Sequence, residues 1–67
     1  MKKFWCEHFV PLTNMKVGKR QEAAEWAFSR FDSRNMDIFY NGPNDEPGFW
    51  FAYERDALLF SLRWSGE

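Results

Sequence analysis

The sequence predicts a small α+β fold with the element order β-α-β-β-α. Three observations carry this prediction: short segments rich in aromatic and β-branched residues, one segment of strong helix formers, and a loop dense in proline and glycine. With 67 residues the chain is expected to form one small domain, residues 1–67. It is too short for a Rossmann or TIM-barrel enzyme.

The first strand and the first helix are predicted in the amino-terminal half. Residues 4–10 are rich in aromatic types and end at Pro11, which is typical of a strand. Residues 19–31 are predicted to be helical, and Trp26 would lie on the polar face of that helix, close to Arg30. The predicted apolar stripe of this helix consists of Ala24, Ala27, Phe28 and Phe31, with Val17 at its start.

The carboxyl-terminal half is predicted to form a hairpin and a helix. Residues 36–41 and 49–53 fit two strands joined by the turn-rich loop 42–48. The tail, residues 54–64, fits either an alternating strand or a helix. We predict a helix, because a tight hairpin before it would need Gly or Asn and because Asp56 suits a first helical turn. Such a helix is apolar almost all round, so a second chain is expected to cover its outer side.

These elements assemble into a split βαβ arrangement, or a ferredoxin-like fold that lacks its last strand. A right-handed crossover joins the first two strands, and the third lies between them, giving a three-stranded antiparallel sheet of order 1-3-2. Both helices are expected on one face of the sheet. The first strand is then an open edge, which favours a dimer or a complex with another protein.

Composition and charge restrict the function classes. Nine basic and ten acidic residues give a net charge of −1, so nucleic-acid binding is not favoured. The alternative is a single-stranded nucleic-acid binder that stacks bases on the sheet aromatics Phe49, Phe51 and Tyr53. A structural homo-oligomer is a further alternative. The absence of an 18-residue apolar stretch predicts no membrane span, and the single cysteine fits a reducing cytoplasm.

No catalytic constellation is predicted. Cys6 and His8 lie two residues apart on the first predicted strand, a spacing that brings their side chains alongside each other without requiring a hydrogen bond. One cysteine and one histidine do not complete a tetrahedral zinc site. We therefore expect no enzyme activity, no cofactor and no metal.

The predicted function is instead binding to a partner protein. Large aromatic and arginine side chains on polar faces are typical of interface anchors, and a stiff loop loses little entropy on binding. The residues expected to contact the partner are Trp26, Arg30, Asn44, Asp45, Glu46, Arg63 and Trp64.

The end of the chain carries a recognisable pattern. Phe49-x-Phe51 is followed by Asp56-Ala57-x-x-Phe60-x-Leu62-x-Trp64. The pattern resembles the carboxyl ends of short uncharacterised proteins encoded by tailed bacteriophages. The resemblance implies an accessory protein in the cytoplasm of an infected bacterium, one that binds and inhibits or modulates a host protein. It implies no catalytic residues.

Overall fold

A computed structural model describes residues 2–13, 15–38 and 40–64 of the chain. The predicted order β-α-β-β-α is confirmed, and the tail is a helix. The elements are β1 (His8–Pro11), α1 (Val17–Arg30), β2 (Met36–Asp37), β3 (Gly48–Phe51) and α2 (Glu54–Trp64), with single 3-10 turns at Ser33–Asn35 and Pro43–Asp45.

The sheet has the predicted topology. Strand β3 is central and antiparallel to both neighbours, which gives the order β1-β3-β2. Phe49 lies opposite Val10 on β1, and Trp50 lies opposite Phe9 on β1 and Asp37 on β2. All three strands are shorter than predicted, and β2 has only two residues.

The first strand begins later than predicted, because residues 2–6 have another role. The Cys6 N–H donates to the Lys3 carbonyl at 3.1 Å, which closes a turn, and Phe4 is 80% exposed. The segment reaches the opposite edge of the sheet, where Lys3 Nζ donates to the Met36 carbonyl on β2 at 2.9 Å. Next to it, Trp5 Nε1 donates to the Arg34 carbonyl at 3.0 Å. Residues 2–6 therefore tie β1 to the β2 side of the fold.

The core lies between the sheet and both helices, which cover the same sheet face as predicted. The Phe60 ring of α2 is fully buried, with its centroid 5.2 Å from that of Phe49 and 5.4 Å from that of Phe51. Phe31, directly after α1, contacts the Phe51 ring at 5.6 Å. Alternation along β3 then directs Trp50 to the other face, where its ring centroid lies 4.9 Å from that of Phe9.

The predicted apolar stripe of α1 is confirmed at Ala24, Ala27 and Phe31, which lie in or against the core, and is wrong at Phe28 and Val17. Ala23 and Ala27 are buried, whereas Phe28 is 46% exposed and Val17 is largely exposed. Relative to the predicted orientation, α1 is rotated about its axis, because the large Trp26 ring turns inward and packs on the core. The Trp26 indole fills the space beside α2, and this packing favours the rotation over burial of Phe28.

Candidate protein-binding surface

Side chains four residues apart lie above one another on a helix, so α2 can be described as rows. One row, consisting of Asp56, Phe60 and Trp64, is buried against the sheet and α1. Asp56 belongs to the first turn, as predicted, where a carboxylate is favourable beside the helix N-terminus. The adjacent row has the half-buried Ala57 and the exposed Ser61. This burial orients the remaining two rows outward.

The two outer rows of α2 combine leucines with charged residues. Leu58 and Leu62 follow Glu54 in one row, and Leu59 lies between Arg55 and Arg63 in the other. Leu58 is 56%, Leu59 39% and Leu62 76% exposed. We name the three leucines and the two arginines the α2 outer face. Clustered apolar side chains on the surface are typical of an interaction site.

Both arginines of the α2 outer face lie against aromatic rings. The Arg55 guanidinium carbon is 5.4 Å from the ring centroid of the exposed Tyr53, and Arg55 Nε is 3.5 Å from an Asp56 carboxylate oxygen. The Arg63 guanidinium carbon is 4.4 Å from the Trp64 ring centroid. Guanidinium groups stack on aromatic rings and also bind carboxylates.

The structure corrects the exposure predicted for two site residues. Trp26 is half-buried rather than free on a polar face, with ring centroid distances of 5.7 Å to Phe31 and 6.1 Å to Phe60. Trp64 is 7% exposed and lies 6.3 Å from Trp26. The two indoles therefore act as packing residues of the core. Among the predicted residues, Trp26, Trp64 and Arg63 are brought together.

The other predicted site residues lie elsewhere. Arg30 is exposed in the last turn of α1. Asn44 and Asp45 are exposed and Glu46 is half-buried. No hydrogen bond or ring contact recorded for the described residues connects the loop residues to Trp26 or Trp64.

The loop 42–48 is shaped by backbone hydrogen bonds and by two residues with positive φ. The Gly42 N–H donates to the Glu46 carbonyl at 2.8 Å, and Asn44 and Asp45 have φ values of 60° and 61°. The Asn41 side-chain amide donates to an Asp45 carboxylate oxygen at 2.9 Å. Tyr40, Asn41, Gly42 and Asp45 line a depression of about 380 Å³. Asparagine and aspartate tolerate this backbone conformation, so it needs no functional explanation.

Two of the three aromatic residues predicted to stack bases are buried in the fold. Phe49 and Phe51 are buried beneath the helices. On the opposite face, Trp50 packs against Phe9, and Lys2 Nζ lies 4.5 Å above the Trp50 ring. Base stacking needs exposed ring faces, which Phe49 and Phe51 do not offer, whereas Tyr53 of the same predicted set is 48% exposed.

The Cys6 thiol is in an unreactive environment. Cys6 is fully buried, and burial raises the pKa of its thiol. A thiol with a raised pKa is a poor nucleophile because little thiolate is present.

In the described part of the chain, no group of three or more His, Cys, Asp or Glu side chains is placed to hold a metal ion.

The part of the chain that the structure describes holds no helix with both the length and the apolar character that a bilayer crossing requires.

Comparison with family models, with curated proteins and with solved structures gives no match. The surfaces described above are therefore the basis for assigning a function.

Proposed function

We propose that this protein is a non-enzymatic protein-binding module whose α2 outer face occupies a groove on a partner protein. The observation that carries the proposal is the exposure of Leu58, Leu59 and Leu62 on a helix whose opposite side is fully packed. Removing a leucine side chain from water contributes up to about 1.5–3 kcal/mol. Covering these three side chains is thus the largest apolar gain that α2 can still make.

The chemistry of the α2 outer face specifies the partner surface. An amphipathic helix binds through side chains spaced three and four residues apart, and Leu58, Leu59 and Leu62 have this spacing. Arg55 and Arg63 border Leu59 on the same row. The complementary surface is an apolar groove with acidic side chains on one rim.

The resemblance of the carboxyl-terminal pattern to tailed-phage proteins supports a specific setting for this interaction. We propose that the partner is a bacterial host protein and that binding inhibits or modulates it in the host cytoplasm. The exposed residues Arg30, Asn44 and Asp45 would then be secondary contacts. Trp26 and Trp64 would support the α2 outer face from below.

A capture experiment with matched variants tests the proposal. The folded chain is immobilised and exposed to bacterial lysate, and bound proteins are quantified by mass spectrometry. The Leu58→Gln, Leu62→Gln double variant removes the apolar contact but keeps good helix formers. Ser61→Gln is the control, since Ser61 is exposed on the neighbouring row of the same helix.

The expected result is one stoichiometric protein captured by the natural chain and by Ser61→Gln, with at least about tenfold less captured by the double variant. Circular dichroism confirms that all three chains are folded. Equal capture by the double variant would refute the α2 outer face as the binding surface. Absence of any captured protein would refute binding to a host protein.

A further inference from the structure

The two edges of the sheet differ in their hydrogen bonding, and the register shows how. The Leu12 N–H donates to the Pro47 carbonyl at 2.9 Å, which continues the β1–β3 register in which His8 faces Phe51. In an antiparallel ladder, every second residue exchanges hydrogen bonds with its partner. His8 and Val10 therefore bond to β3, whereas the backbone groups of Phe9 and Pro11 point away from it.

The β2 edge is closed by the chain itself. The Ala52 N–H donates to the Asn35 carbonyl at 2.8 Å, so on the β2 side Asn35 and Asp37 bond to β3 and Met36 points outward. The outward Met36 N–H donates to the Ser33 carbonyl, and the outward Met36 carbonyl accepts from Lys3 Nζ at 2.9 Å. Both groups of Met36 are satisfied, which prevents another strand from adding at this position.

The β1 edge is open at the equivalent position. The outward N–H and carbonyl of Phe9 have no hydrogen-bonding partner among the described residues. Glu7 is exposed and directly precedes the strand. It lies two residues before Phe9, so in a strand extended by one residue its N–H and carbonyl point the same way as those of Phe9. Pro11 offers only its carbonyl, because proline has no N–H. Together with Glu7, the outward groups of residues 7–11 are two N–H donors and three carbonyl acceptors.

We propose that β1 pairs with β1 of a second copy of this chain, antiparallel and with the two-fold axis at Phe9. The Phe9 N–H of each copy then donates to the Phe9 carbonyl of the other. Two residues away, the Glu7 N–H of each copy donates to the Pro11 carbonyl of the other. Every outward donor of the strand finds an acceptor, and only the Glu7 carbonyl is left to water.

The side chains are compatible with this pairing. With the axis at Phe9, the two Phe9 residues are neighbours on the outer sheet face, and each ring stays packed on Trp50 of its own copy. His8 lies opposite Val10 of the second copy. Glu7 lies opposite Pro11, so the pairing sets no like charges against each other. The product is one continuous six-stranded sheet, an isologous dimer.

The β1 edge is a different surface from the α2 outer face, and its pairing does not depend on a partner protein. The test uses the full chain made by chemical synthesis, with N-methylation of the Phe9 amide. This change removes only an outward donor and leaves the bonds to β3 intact. The control is Gly18→sarcosine, because Gly18 lies in the first turn of α1, where N–H groups have no helical partner.

Sedimentation equilibrium from micromolar to millimolar concentration measures dimerisation, and amide hydrogen exchange locates it. We expect a dimer whose Phe9 N–H becomes more protected as concentration rises. N-methylation of Phe9 should weaken dimerisation at least about tenfold, whereas sarcosine at position 18 should leave it unchanged. A chain that stays monomeric, a dimer without added Phe9 protection, or an N-methylated chain that dimerises equally would each overturn the pairing.

Discussion

Removal of the Phe60 side chain is expected to be the most damaging single truncation of α2. The ring is fully buried and lies between two β3 rings and two indoles, with centroids 5.2 Å from Phe49, 5.4 Å from Phe51, 6.1 Å from Trp26 and 6.4 Å from Trp64. Phe60→Ala therefore opens a cavity that borders every layer of the fold. Phe28→Ala deletes the same atoms from a side chain that is 46% exposed on α1.

The magnitudes follow from burial. Truncation of a buried phenylalanine costs about 3–5 kcal/mol, including the cavity. Burying a whole phenylalanine side chain contributes about 1.5–3 kcal/mol, so the buried half of Phe28 contributes about 0.8–1.5 kcal/mol. Alanine has the better helix propensity and offsets part of this loss, so Phe28→Ala should cost about 0.5–1 kcal/mol. A chain of 67 residues has a total stability of roughly 3–10 kcal/mol. Phe60→Ala thus removes much of the stability, and Phe28→Ala does not.

Urea unfolding followed by far-UV circular dichroism measures both losses. If Phe60→Ala is unfolded without urea, Phe60→Leu supplies the number, with an expected loss of about 1–1.5 kcal/mol. The comparison decides between the observed rotation of α1 and the apolar stripe predicted from its sequence, which buries Phe28. Equal losses for the two alanine variants, or a larger loss for Phe28→Ala, would refute the packing described here.

Three further predictions concern other parts of the fold. Gly48→Ala places a Cβ against the Phe9 ring and the Val10 carbonyl, so it should lower the free energy of unfolding by about 1–3 kcal/mol. Gly18 has open space around it, so Gly18→Ala should raise the free energy of unfolding by about 0.5–1 kcal/mol. Thermal unfolding measures both changes. The Cys6 thiol, whose pKa burial raises, should react with Ellman's reagent only slowly until urea unfolds the chain, so rapid native labelling would contradict its burial. Hydrogen bonds from Arg34 lower the pKa of Asp32 to about 2, so this pair stabilises the fold above about pH 4 and the contribution is lost as pH falls towards 2. NMR titration should show that midpoint, and Arg34→Gln should move it towards 3.8.

The element order could be predicted because local signals agree with it. Proline and glycine between residues 42 and 48 indicate the connection before β3, and Asp56 followed by apolar residues indicates the start of α2. Apolar residues all round α2 also indicated that part of this helix would remain uncovered. Leu58, Leu59 and Leu62 are nevertheless absent from the predicted site, because nothing local shows which row of α2 is buried.

Trp26 shows why the exposure predicted for a site residue can be wrong. Helical periodicity placed its indole among charged neighbours, yet the ring lies between Phe31 and Phe60. A large ring can reach across half a turn when a partner ring lies within reach, and that partner belongs to α2. Periodicity within one helix contains no information about a partner more than 30 residues away.

The element order, the sheet topology and the helical tail can all be predicted from local sequence signals, because turn residues, helix formers and the handedness of crossovers act locally. Tertiary structure alone decided which side of each helix is buried and which sheet edge is closed. The closure of β2 depends on Lys3 reaching Met36, a hydrogen bond across 33 positions of the chain. Contacts between residues so far apart are fixed only when the whole chain packs, and they leave the β1 edge and the α2 outer face open.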